Sequence, residues 1–397
     1  MKKRLISLVA ASVLVGGMVA CGTAHAGTVA SKGDTNITIY GFVKAHFNWA
    51  QKMADGNSYG ANVAEESTAS GAAGAKQNKV NFNSTLRWTR IGLKLKTPDI
   101  GVSGKIEADF AGSSGKDKAL RLRKAYLQHN FDSYFIRVGK DSNLLAQSSY
   151  SWNPVYMPGF YTSPSRISQM RIGGTFDLGQ VTFIPEIAAQ EMKKVVMKGV
   201  ACELNRTTMP GVAGKLTAKV KTYFGSPIKA YVGYGYEQVK LDASGNEKKK
   251  NPQIVTAGIA VPINWITLKA DYNWFKGATK HAGLSEYTAP SFYIKGGDVK
   301  ATKGHSVQGE VRITPIPQFA AWGGYAMTKI NDASDVYETS KIVKKAQGWF
   351  IGGGWKTTKV TEIAFEYNRF KTTYQDSSTT THKDKGTQYN LVFKYNF

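Results

Sequence analysis

Long stretches of this chain alternate strictly between apolar and polar residues, and that alternation limits what it can fold into. Ile37, Ile39, Val43, Ala45, Phe47 and Trp49 are interleaved with Thr38, Lys44, His46 and Asn48. Val102, Ile106, Ala108 and Phe110 alternate with Ser103, Lys105, Glu107 and Asp109, and Ile266, Leu268, Ala270, Tyr272 and Trp274 with Thr267, Lys269, Asp271 and Asn273. Successive side chains of a strand point to opposite faces, so each segment makes a ribbon with one apolar and one charged side. Each is about ten residues long, enough to cross a bilayer when tilted. Beyond the first residues, no apolar run is long enough for a membrane-crossing helix.

The connections sort by length. Short turns are predicted at Thr97–Gly101, Phe131–Ser133, Asp177–Gln180, Thr222–Pro227, Pro262–Trp265, Thr314–Pro317 and Thr357–Lys359, all rich in turn-forming residues. Between them lie longer polar stretches: Gln51–Lys79, Ala111–Lys118, Asp141–Ser165, Glu191–Thr207, Asp242–Pro252, Lys276–Ala301, Ile330–Lys344 and Lys371–Gly386. Eight long and seven short connections join sixteen strands. An even strand number, short turns at one end and long loops at the other is the pattern of an antiparallel transmembrane β-barrel with short periplasmic turns. Phase changes near Trp88–Ile91 and Arg123–Leu127 predict bulges.

The two ends agree with export to such a membrane. Met1-Lys2-Lys3-Arg4, the apolar run to Ala20 and Ala24-His25-Ala26 read as a cleavable signal peptide over residues 1–26, leaving 27–397 as one barrel domain. Met18-Val19-Ala20-Cys21 is a poorer match to a lipidation box, and without Cys21 the remaining Cys202 has no partner for a disulfide. At the other end Tyr389, Leu391, Phe393, Tyr395 and Phe397 alternate with Gln388, Asn390, Lys394 and Asn396. A closing aromatic strand that ends on Phe resembles the signal that outer-membrane barrels present to their assembly machinery.

Charge narrows the function. Fifty-two Lys and Arg against 28 Asp and Glu give a formal charge of +24. An exported chain meets no nucleic acid, so the excess must serve anionic lipid, a surface partner or an anionic solute. No catalytic motif is present: the histidines are not spaced for metal, and Gly233-Tyr234-Gly235-Tyr236 and Gly352-Gly353-Gly354 sit within predicted strands, where small residues permit close packing. No cofactor or metal is expected. In the strand register the water-facing cations include Arg87, Lys105, Arg121, Arg123, Arg137 and Arg171, together with Lys44, Lys215, Lys219, Lys229, Lys269 and Arg312. Fixed charge of one sign in low-dielectric walls concentrates counter-ions, and rows of Arg and Lys favour anions. The third long loop carries Leu144, Tyr150, Trp152, Tyr156 and Phe160, too apolar for a solvated loop, and is expected to fold inward and narrow the channel. Lys248-Lys249-Lys250, Lys193-Lys194 and Lys344-Lys345 fall in predicted outer loops, where they meet solvent or lipopolysaccharide phosphates.

Several motifs resemble the trimeric outer-membrane porins: Thr89-Arg90-Ile91-Gly92-Leu93-Lys94, followed by Thr97-Pro98-Asp99-Ile100-Gly101. Leu120-Arg121-Leu122-Arg123-Lys124-Ala125-Tyr126, Arg137-Val138-Gly139-Lys140, Asn153-Pro154-Val155, Gly159-Phe160 and Gln169-Met170-Arg171 are similar to the dicarboxylate-porin (DcaP-like) branch. The resemblance implies a homotrimer, an inward third loop and a preference for small anionic solutes. The expectation is therefore a passive diffusion channel. Its rivals are a non-conducting barrel serving as a surface-binding adhesin, separable by bilayer conductance, and a barrel-embedded hydrolase, separable by serine labelling.

Overall fold

In the computed structural model the alternating segments become a single closed sheet. The structure describes residues 28–32, 34–51, 80–112, 119–146, 166–190, 204–205, 209–243, 246–278, 291–295, 298–336, 342–375 and 380–397. The barrel strands are β1 (Thr35–Gln51), β2 in two parts (Val80–Thr85 and Arg90–Thr97), β3 (Val102–Asp109), β4 (Arg121–Phe131), β5 (Tyr134–Ser142) and β6 (Arg166–Gly174, continued by Phe176–Asp177). They continue as β7 (Val181–Gln190), β8 (Gly211–Val220), β9 (Ile228–Tyr236), β10 (Gln253–Ile263) and β11 (Ile266–Lys276). The last are β12 (Lys303–Ile316), β13 (Phe319–Ile330), β14 (Ile342–Lys356), β15 (Thr361–Gln375) and β16 (Thr381–Asn396). Each pairs antiparallel with its neighbour, and β1 pairs with β16 from Phe42↔Asn396 to Gln51↔Thr387, closing a sixteen-stranded barrel. Closure removes both sheet edges, the condition for a β-structure to sit in hydrocarbon.

The outward faces are apolar: Val232, Ile351 and Phe365 are about half exposed, as lipid-facing groups must be. Two aromatic girdles bound that band. Towards the long loops, Trp49 packs on Phe82 at 5.1 Å, and Tyr367 lies between Trp349 and Tyr389 at 5.2 and 5.0 Å. Towards the short turns, Tyr134 packs against Phe131 and Phe176, and Phe319 against Trp355. Amphipathic rings favour this height, where one end meets hydrocarbon and the other water. The short turns use residues that tolerate left-handed backbone: Gly101 at φ 66°, Asp132 at 49° and Asn264 at 50°.

Both predicted phase changes are real. β2 breaks between Thr85 and Arg90, so Phe82 and Leu93 both face outward although their numbers differ in parity. In β4 the register slips between Glu107 and Ala108, which pair with Lys124 and Leu122 and leave Arg123 as the extra residue. At the seam Phe397 exchanges two backbone hydrogen bonds with Gly41, at 3.0 and 3.1 Å, and its ring occupies the space a Cβ at Gly41 would need.

Glycines in the last strands serve packing. A Cβ at Gly352 would lie 2.6 Å from Trp322 Nε1 and 2.7 Å from the Phe365 carbonyl, so the Trp322 indole rests on bare backbone and donates to Glu366 at 2.7 Å. Gly352→Val is expected to cost roughly 1–3 kcal/mol through overpacking. The expected readout is a lower unfolding temperature of the barrel on heat-modifiability gels.

Two expectations about the outer loops are corrected. Lys371–Gly386 was expected to be a long loop, but β15 runs to Gln375 and β16 begins at Thr381. Threonine and lysine alternate there just as apolar residues do lower down, so the strand continues with a polar outer face. Lys344-Lys345 likewise belongs to β14. Lys248-Lys249-Lys250 is the end strand of a small outer sheet formed by Leu204–Asn205, Val239–Ala243 and Asn246–Lys250. That sheet packs on a hairpin of Phe292–Lys295 and Asp298–Ala301 through the buried Val239, Leu241, Phe292 and Val299. Hydrogen bonds from Lys248 and Lys300 hold the Asp298 carboxyl below the usual carboxylate range. A helical turn at Ala333–Val336 is tied to the same hairpin by a 2.7 Å ion pair between Lys295 and Asp335. Lys193-Lys194 lies outside the described residues.

Candidate functional site

On the lumen side of β1 to β7 the charged residues gather in three ion-pair clusters, around Glu107 and Asp109, around Asp141, and between Arg171 and Glu186. Arg121 grips Asp109 with two parallel hydrogen bonds, Nε to Oδ1 at 2.9 Å and Nη2 to Oδ2 at 2.8 Å. Arg123 bridges Asp109 and Glu107, its Nε 2.9 Å from Glu107 Oε1. Glu107 also meets Arg90 and Lys105, each at 3.5 Å, and accepts from the Tyr40 hydroxyl at 2.9 Å. Further round the wall Lys124 reaches Asp141 at 2.7 Å, Arg137 contacts the same carboxylate, and Arg171 reaches Glu186 at 3.2 Å. Seven cations thus share four carboxylates.

The β4 bulge builds this arrangement. In an unbroken strand Arg123 and Lys124 would face opposite ways; here both engage lumen carboxylates, Arg123 on Glu107 and Lys124 on Asp141. The expected cations divide into two kinds. Arg123 and Arg171 are nearly inaccessible, at 6 and 9% side-chain exposure, whereas Arg121 retains 39%. Arg137 and Lys105 retain 20% each. Arg87 lies in the break of β2, where its guanidinium stands 4.8 Å from the Trp88 ring; Arg121 is 5.9 Å from the same ring.

The base of the third loop is joined to the Arg171 cluster. Arg171 and Gln169 donate to the Ser142 carbonyl at 2.8 and 2.9 Å, and Asn143 caps the next turn through the backbone N–H of Leu145 at 2.9 Å. That turn sends Leu144 and Leu145 into the lumen, where both are buried in a cluster with Ala188, Ala213 and Ile254. Gly233 and Gly235 on β9 make the seat: a Cβ at either would come within 2.8 or 2.5 Å of Leu145. The loop thus starts inward, as expected, while Tyr150, Trp152, Tyr156 and Phe160 lie outside the described residues. Among the described residues no group of three His, Cys, Asp or Glu side chains is arranged to hold a metal ion.

No family model and no curated protein matches the chain. Solved structures do. The outer-membrane channel DcaP of Acinetobacter baumannii superposes with a TM-score of 0.75 at 20% identity, covering 94% of this chain and all of that one. The barrel has the outer-membrane porin fold. An anion-selective porin from Comamonas acidovorans matches at TM-score 0.60 and 13% identity, over 91% of this chain and all of that one. Salmonella typhi OmpF, in complex with daunomycin, matches at 0.58 and 13%, over 92% and 98%. A closed porin-fold barrel with a lipid-facing band between aromatic girdles belongs in the bacterial outer membrane.

Sequence reasoning missed several lumen cations of this porin barrel, Arg90, Lys124 and Arg166 among them. Arg90 and Lys124 follow the two phase breaks, so a parity count misassigns them. Arg166 opens β6 within electrostatic reach of Arg123, Arg90 and Arg121. The one available signal was the break itself, since a basic residue just past a bulge changes face. Leu145→Asp should unseat the loop from its glycine groove and raise single-channel conductance; unchanged conductance would show that the groove does not hold it.

Proposed function

We propose that the protein is an outer-membrane porin through which small hydrophilic solutes diffuse passively, with anions such as small carboxylates and phosphate-like groups favoured. The observation that carries this reading is the excess of cations over carboxylates on the wall of β2 to β6. Ions in a narrow lumen with low-dielectric walls feel that excess strongly. Arg121, Arg90, Lys105, Lys124 and Arg137 keep part of their side chains accessible and would meet the solute. Arg123 and Arg171 would instead hold Glu107, Asp109 and Glu186 in place. A guanidinium fork offers two parallel donors to a carboxylate or phosphate, so the exposed arginines can replace part of a solute's hydration. The contacts must be weak and several, so that the solute also leaves.

In this reading the channel needs no cofactor and catalyses nothing, residues 1–26 are removed on export, and the barrel works as a homotrimer. Reconstitution in planar bilayers under a salt gradient tests it. The reversal potential is expected on the anion-selective side. A cation-selective potential would overturn the solute preference, and a barrel that does not conduct would favour the surface-binding alternative.

A further inference from the structure

Two carboxylates on the lumen wall of β11 and β12 are buried with no cation in contact. Asp271 and Glu310 are 4 and 3% exposed, and no ion pair among the described residues reaches either of them. Asp271 accepts from the Tyr231 hydroxyl on Oδ1, and a Cβ at Gly258 would fall 2.0 Å from that oxygen, so the carboxyl rests on bare backbone. Its Oδ2 has no hydrogen-bond partner, and neither oxygen of Glu310 has one. Lys269 stands opposite Glu310 in the register and, like Arg312, acts on it through space. Lys215 lies over the Tyr231 ring at 4.3 Å, not on the carboxylate. The neutral side chains beside Asp271 are unmatched as well. Asn273 faces Ser306, and Asp271 faces Gln308, across the two strands. Asn273 is 0% exposed and Ser306 and Gln308 2% each, yet both ends of both amides and the Ser306 hydroxyl find no partner. Their strand neighbours Tyr272, Val307 and Val311 face lipid, so the patch lies on the lumen side.

A carboxylate taken out of water without a counter-charge is strongly destabilising, and buried amides and hydroxyls normally find partners. Elsewhere in this lumen the rule is kept: Glu107, Asp109, Asp141 and Glu186 each touch at least one Arg or Lys. The β11–β12 wall stands eight strands round the sixteen-stranded ring from β3 and β4, directly across the lumen from those arginines. What the patch lacks is a cation, and its donors say which kind. One carboxylate, two amide carbonyls and a hydroxyl, with a second carboxylate one position along, are hard oxygen ligands; no thiolate or imidazole stands among them to favour a softer metal. Same-face side chains lie about 5 Å apart between strands and about 7 Å apart along them, close enough for their oxygens to meet on one ion at about 2.4 Å. Calcium accepts roughly six to eight oxygens in flexible geometry, water included, whereas magnesium demands a near-ideal octahedron. Lys269 and Arg312 offset part of the negative charge, which places the affinity in the weak range of extracellular calcium sites, about 0.1–1 mM.

We propose that Asp271, Asn273, Ser306 and Gln308, with Glu310 beside them, form a binding site for a calcium ion in the lumen wall. The ion supplies the counter-charge that no side chain provides and ties β11 to β12 from the inside. Only two of the donors are carboxylates, so a count of His, Cys, Asp and Glu does not reveal the site. It does not depend on which solutes the channel passes.

The test uses the full barrel in detergent, stripped of divalent ions with a chelator and dialysed to equilibrium against radioactive calcium chloride in excess potassium chloride. Wild type should take up one calcium ion per chain in that concentration range. Asp271→Asn should bind on the order of tenfold more weakly or worse, since it removes the one charged ligand at the centre of the patch. Asp298→Asn, which neutralises an exposed carboxylate of the outer hairpin, should bind as wild type does. Heat-modifiable mobility gives a second readout. Calcium should raise the unfolding temperature of wild type and leave that of Asp271→Asn unmoved. Without calcium the Asp271→Asn barrel should be at least as heat-resistant as wild type, because it no longer buries an uncompensated charge. No calcium uptake by wild type, undiminished uptake by Asp271→Asn, or an equal loss in Asp298→Asn would each overturn the proposal, the first leaving water as the occupant. If Asp271→Asn does not assemble, N273A/Q308A keeps both carboxylates and should still lose several-fold in affinity; wild-type binding by that folded variant would overturn the proposal.

Discussion

Replacing Arg121 and Arg123 together with glutamine is expected to move the reversal potential strongly towards cations. The two side chains sit on adjacent lumen positions of β4 and together neutralise Asp109 and Glu107. Their loss leaves both carboxylates facing the lumen with only Arg90 and Lys105 in direct contact with Glu107. A unit charge about 8 Å from a passing ion contributes roughly 2 kcal/mol at an effective dielectric near 20, before salt screening. At low salt the anion-over-cation permeability ratio should therefore fall by about tenfold or more. The single variants should separate two effects. Arg121→Gln acts on an accessible group and should carry much of the selectivity change at little cost in stability. Arg123→Gln breaks a buried pair and should cost roughly 3–5 kcal/mol, read by denaturant unfolding in detergent. An unchanged reversal potential in the double variant would remove this wall from the selectivity mechanism.

Glu107→Gln should act in the opposite direction on selectivity. One carboxylate, 3% exposed, receives Arg90, Lys105 and Arg123 and the Tyr40 hydroxyl. Neutralising it leaves three cations without their shared counter-charge, and the barrel should become more anion-selective. Leaving charges buried without their partner typically costs roughly 3–5 kcal/mol, so this variant should also unfold at markedly lower denaturant. A gain in anion preference together with a loss of stability would identify Glu107 as a structural hub that moderates the positive field. A shift towards cations would contradict that role.

The behaviour of these two positions shows where sequence reasoning stops. Lys105, Glu107 and Asp109 alternate with Ile106 and Ala108, so their common face is legible in the chain. That Lys124 turns to the same lumen side as Arg123 is not, because it depends on one extra residue in β4. The inward start of the third loop was foreshadowed by Leu144 and its aromatic neighbours. Its seat on Gly233 and Gly235 was not, since those glycines lie four strands away. The upper parts of β15 and β16 were assigned to a loop because their outward residues are lysine and threonine, and a strand with two polar faces has no hydrophobic alternation to reveal it.

The chain by itself determined the sixteen-fold strand and turn order, the division of each strand into a lipid and a water face, and an aromatic seam at its end. These follow from a period of two residues, which is local and can be read from neighbours. Only the tertiary structure decided which cations share one carboxylate, where the third loop rests, and which carboxylates and amides lie together on β11 and β12. Those depend on cross-strand register, and a single inserted residue turns every following side chain to the opposite face.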